Sequence, residues 1–177
     1  MNSYTLTPAF IAILAISTSA SGGFAPQDSS LTMKDQELMR KAAYLNCDEI
    51  ELGKLAQDNG TSGFGKSYGE RMVNDHTKAK EELEALADSK GVKLPNYMDM
   101  DHKALYANMR TTSGSAFDRI YCRTMLMGHM KAERMFMDAS KECTDPDLKA
   151  YFEKYAPIVK KHMVLARETW SSMEPGW

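Results

Sequence analysis

The chain has 177 residues, 43% of them apolar and 26% charged, with a formal net charge of -2. That is ordinary for a globular protein, long enough for one domain with a real core and too short for two. It has no basic stripe and no long run of one charge, which argues against a nucleic-acid partner and against a polyelectrolyte tail.

Residues 1–25 carry no charged side chain. Within them Ala9-Phe10-Ile11-Ala12-Ile13-Leu14-Ala15-Ile16 is followed by small residues. An apolar block this short does not span a bilayer, which takes about 20 residues. It reads as a secretory signal peptide over 1–25, cleaved near Ala20 or Ala25, although its start has only the terminal amine for positive charge. An uncleaved N-terminal anchor is the alternative. Residues 26–31 read as a disordered linker, and the expected location is the periplasm or outside the cell.

From Thr32 onward the pattern is helical. Thr32 is a plausible N-cap, with Asp35 three residues on, before a periodic run to about Gln57. Asp58-Asn59-Gly60 and Thr61-Ser62-Gly63 break it. A second run goes from Phe64 to Lys90 and stops at Gly91. Residues 92–100, with Pro95, form a loop, and Asp99 or Asp101 caps a short helix to about Arg110. After Thr111-Thr112-Ser113-Gly114 a third long run covers Ser115 to Glu142. Thr144-Asp145-Pro146-Asp147 is a cap with Pro in the first turn, and a fourth run continues to Ser172, with 173–177 as a tail. Pro157 falls inside that run and should bend it. No strand pattern appears. Long helices with mostly short connections predict an all-α fold: an antiparallel four-helix bundle over 32–172, with the short extra helix between helices 2 and 3.

Helical phase then sorts inward from outward positions. Glu49 falls among Leu38, Ala42, Leu45, Leu52 and Ala56; His76 among Met72, Ala79, Leu83 and Ala87. His129 shares a face with Cys122, Met125, Ala132 and Phe136, and His162 with Leu148, Tyr155, Val159, Ala166 and Thr169. Each of the four lies near the middle of its helix, so antiparallel packing brings Glu49, His76, His129 and His162 to one level. Unpaired, such buried groups cost several kcal/mol, so they must satisfy one another, bind water or hold an ion. Three imidazoles and a carboxylate suit one zinc, iron or copper ion. His102, on the short helix, stands outside the set.

At these residues the chain resembles a family of exported bacterial proteins with a ferritin-like four-helix fold, often labelled outer-membrane proteins. The resemblance rests on Glu49-Ile50-Glu51-Leu52-Gly53-Lys54-Leu55-Ala56, Arg71-Met72-Val73-Asn74-Asp75-His76-Thr77-Lys78, Leu94-Pro95, Phe117-Asp118-Arg119-Ile120-Tyr121 with His129 following, and Pro157 with His162. It implies the ferritin-like fold and export, and no established activity. Ferritin-like oxidases carry paired Glu-x-x-His motifs. Here Val73, Leu126 and Val159 precede the three histidines by three residues, so di-iron carboxylate chemistry does not carry over.

The remaining features are blander. There are 14 methionines, and those around His129 are spread about the helix, as core and interface filler. Asp75 points away from His76, toward a neighbouring helix; Asp118 is too far along its helix to touch His129 and should cap backbone or pair with an arginine. Cys47, Cys122 and Cys143 fall at different heights and should remain thiols. No catalytic triad, phosphate loop or dinucleotide fingerprint is present, which points away from an enzyme. A non-catalytic envelope or stress-related module, its four polar groups forming a structural network, is the rival reading; its protein partner is unknown.

Overall fold

The computed structural model describes residues 31–61 and 63–174. The described residues form five helices and no strand: α1 Met33–Asn59, α2 Phe64–Ser89, α3 Met100–Met109, α4 Gly114–Glu142 and α5 Pro146–Met173. Residues 1–30, where the signal peptide and most of the linker were expected, lie outside the described residues, as do residues 175–177. None of the described helices is long and apolar enough to cross a membrane.

The helix starts follow the expected capping chemistry. The Thr32 hydroxyl accepts from the Asp35 backbone N–H at 3.0 Å. Asp99, rather than Asp101, caps α3 by accepting from His102 N–H at 2.8 Å. Asp145 accepts from the N–H groups of Asp147 and Leu148, with Pro146 opening α5; a proline there gives up an N–H that has no helical partner. At the end of α2 the chain turns through Gly91 at φ +69°, a left-handed conformation that side-chain-bearing residues resist. Pro157 lies inside α5, which is nevertheless assigned without interruption.

Two antiparallel hairpins are evident. In α1/α2 the backbones nearly touch: a Cβ on Gly69 would sit 2.6 Å from the Gly53 carbonyl oxygen, and one on Gly53 2.8 Å from that of Gly69. Farther along, Asn46 of α1 reaches His76 of α2, so the register runs in opposite directions. In α4/α5, Cys122 pairs with Ala166 and Phe136 with Phe152. The hairpins are joined across α2 and α5 by Tyr68–His162 and Lys154–Glu82, and from α1 to the connections that follow and precede α4 by Asp35–Thr144 and Asn59–Thr112.

The apolar core is split in two. One cluster is built around Met39, Leu83, Phe136, Leu148 and Phe152, the other around Leu52, Met72, Phe117, Tyr121 and Met125. Between them lies a polar layer from all four long helices. Two details of the sequence reading change. Leu31, assigned to the linker, is buried in the first cluster. Leu38 and Leu45 are only partly buried, whereas Met39, Ala43, Asn46, Cys47 and Asp48 are buried. Met39 and Ala43 join the first apolar cluster and Asn46 meets His76 and Tyr151, while the α2–α3 connection covers Cys47 and Asp48, with Asp99 N–H donating to Asp48 at 3.0 Å. Asp118 caps the turn of the other hairpin, accepting from the N–H and hydroxyl of Thr61. The three cysteines are buried and unbridged.

Candidate metal centre

The polar layer contains His76 from α2, His129 from α4 and His162 from α5, each in the helical phase that its apolar neighbours set. One ring nitrogen of each lies within 4.8 Å of one from each of the others. Their ring centroids are 5.3 to 5.9 Å apart, and all three residues are buried.

Acceptor-only partners fix which nitrogen carries the proton on His129 and His162, and on His76 it follows the orientation of the Asn46 amide. The His129 Nδ1–H donates to the Met125 carbonyl at 2.9 Å. His162 donates Nε2–H to the Asp75 carboxylate at 2.9 Å. With its amide N–H on the Tyr151 hydroxyl at 3.1 Å, Asn46 turns Oδ1 to His76 Nδ1 at 3.0 Å, and in that arrangement His76 donates Nδ1–H. What remains is His76 Nε2, His129 Nε2 and His162 Nδ1, all buried and without a partner among the described residues. In the neutral tautomers each of these is a bare acceptor lone pair.

Burial keeps them neutral. His76 is pushed well below the ordinary imidazole range, first by loss of water and then by the neighbouring His162 and His129. Burial holds His129 down to about 4, opposed by the bond to Met125. His162 falls to about 4 from burial and from His129, against the pull of Asp75. Neutral imidazole with an anchored distal nitrogen is the form that binds a metal, and the anchors orient the rings. A tetrahedral zinc ion with bonds of about 2.0–2.1 Å puts its ligand nitrogens about 3.4 Å apart, so the rings would draw in by about 1 Å. A small void of about 10 Å³ lies against His76 and His162, lined also by their hydrogen-bond partners Asn46 and Asp75 and not by His129.

Glu49, expected as a fourth ligand, lies beside the cluster and not in it. Its Oε1 is 3.8 Å from His129 Nδ1, the nitrogen already committed to Met125. The carboxyl is buried, Oε2 has no partner, and burial raises it to about 8. Tyr68 closes the layer from below, its ring edge-on to His129 and His162 at 6.4 Å and its hydroxyl donating to the His162 carbonyl at 3.0 Å. Asn46 carries a role that sequence reading did not assign. Its only signal was a polar residue three positions before Glu49 on a buried face. Asp75 does bond a neighbouring helix, through His162.

The fold and site together define an all-helical protein whose core carries three convergent histidines with their proton donors all turned outward. The chain belongs to the family described as Domain of unknown function (DUF4142), whose model matches residues 22–169. No curated protein and no solved structure matches it.

Proposed function

We propose that this chain is an exported ferritin-like four-helix bundle that holds one transition-metal ion through His76, His129 and His162, with Glu49 alongside. The supporting observation is the set of three unpartnered nitrogens. A purely structural network would need donors facing them, yet every imidazole N–H is spent on Asn46, Met125 or Asp75. A protonated Glu49 could offer one donor against three acceptors. A cation satisfies all three lone pairs at once. Zinc, copper and iron are all compatible with imidazole ligands. Without the paired Glu-x-x-His motifs, no oxidase step follows from a ferritin-like fold.

The test strips the mature protein with chelator and follows its melting temperature as Zn²⁺, Co²⁺ or Cu²⁺ is added. Binding at about one hundred times Kd adds about 2.7 kcal/mol, a rise of several degrees for a domain of this size. His129→Ala should remove the part of that rise that the histidine centre contributes. Equal destabilisation of His129→Ala with and without metal, and no metal-dependent shift in the parent, would establish the structural network instead. Export is tested separately, by the N-terminus of protein recovered from the periplasm: a start after Ala20 or Ala25 supports it, an intact Met1 refutes cleavage.

A further inference from the structure

A second cluster sits on the outer side of α1, where the α2–α3 connection crosses it. His102 Nδ1 is 2.9 Å from Asp48 Oδ2 and 2.8 Å from Asp99 Oδ2. Each carboxylate is anchored through its other oxygen to a backbone donor: Asp48 Oδ1 accepts Asp99 N–H at 3.0 Å, and Asp99 Oδ1 accepts His102 N–H at 2.8 Å. Two carboxylate oxygens and one imidazole nitrogen therefore converge, each held from behind, and one N–H cannot point at both oxygens. The cluster is half-open to water: the Asp48 side chain is 2% exposed, those of His102 and Asp99 35% and 34%.

The independent observation is Glu49. It follows Asp48 in the chain, is 4% exposed, leaves Oε2 without a partner, and lines the same groove as Asp48, Asp99 and His102. That groove, about 450 Å³, runs between α1, α3 and α4. A Cβ on Gly128 would stand 3.9 Å from Glu49 Oε1, an ordinary contact. The same oxygen lies 3.8 Å from His129 Nδ1.

We propose that Asp48, Asp99 and His102 form an outer divalent-cation site, and that an ion taken up there passes along Glu49 to the histidine centre. The donor set of two carboxylates and one imidazole, with water completing the shell, suits Zn²⁺, Co²⁺ or Mn²⁺. The Glu49 carboxyl, which lines the groove with the outer cluster and stands 3.8 Å from the His129 ring, gives the ion an oxygen ligand on the way in. The outer site stands by itself; its loading role rests on the histidine centre proposed above.

Equilibrium dialysis of the chelator-stripped mature protein against Co²⁺ tests both. The parent should bind two equivalents, His102→Gln one, and His129→Ala one. Asp99→Asn, which keeps the helix cap, is the second variant and should also bind one; far-ultraviolet circular dichroism verifies that each is folded. A parent that binds a single equivalent, lost only in His129→Ala, overturns the outer site and leaves the centre standing. A single equivalent lost only in His102→Gln overturns the centre and the loading role while the outer site stands. Stopped-flow mixing with limiting Co²⁺ then reads the route: in His102→Gln the histidine-centre signal should rise about tenfold more slowly at unchanged affinity. An unchanged rate overturns the loading role.

Discussion

The metal-free protein should be acid-labile at pH values where most helical domains are still secure. In the unfolded chain a histidine takes up its proton near pH 6.5. In the folded chain burial holds His129 and His162 to about 4. Between these values the unfolded state binds more protons, so stability is intact above pH 6.5 and is lost as the pH falls toward 4. At pH 4.5 the loss is about 2–3 kcal/mol per imidazole, or about 5 kcal/mol for these two, with His76 adding in the same direction. That matches the lower end of the total stability of a typical domain, about 5 kcal/mol. Glu49 acts with the opposite sign: raised to about 8 by burial, it keeps its proton in the fold while the unfolded chain releases it above about 4.5, so it erodes stability as the pH rises through that window. The optimum should therefore lie near pH 6.5, and Glu49→Gln should make the alkaline side shallower, leaving the decline that His102 contributes. Urea midpoints measured with chelator from pH 8 to pH 4.5 give both limbs, and saturating Zn²⁺ should move the acid limb downward. A flat profile between 6.5 and 4.5 would refute the reasoning, because it would mean that the three rings already share protons in the fold.

Asp75→Asn replaces the carboxylate that orients His162; the metal affinity measured by competition with a chelating dye should fall about 10- to 100-fold with helicity unchanged. Gly69→Ala should destabilise by about 1–3 kcal/mol despite alanine's better helix propensity, since its Cβ would meet the Gly53 carbonyl at 2.6 Å; a melting temperature equal to the parent's would show that α1 and α2 can part without cost. His102, raised to about 9 chiefly by Asp48, contributes stability that is full below about pH 6.5 and lost as the pH rises through 9. Its partial exposure and the burial cost of Asp48 reduce this to about 1 kcal/mol. Chelated His102→Gln protein should lack that alkaline decline.

Helix positions, the Thr32 cap, the capping stretches at Asp99 or Asp101 and at Thr144–Asp147, and the inward phase of His76, His129 and His162 were legible in the sequence. They depend on contacts within a few residues and on the 3.6-residue repeat, both written along the chain. Phase and mid-helix height also placed Glu49 at the level of the histidines. They could not say that its carboxyl would face the committed nitrogen of His129, because that depends on rotamers and on how α1 turns against α4. The donors and acceptors that anchor the rings, Asn46, Asp75 and the Met125 carbonyl, were likewise settled by packing; so was the burial of Leu31. His102 read as a bystander on a short helix. Only the path of the α2–α3 connection over α1 brings it to Asp48, 54 positions earlier in the sequence. Local chemistry thus determined which residues turn inward, while tertiary packing decided which atoms are left without a partner once they get there.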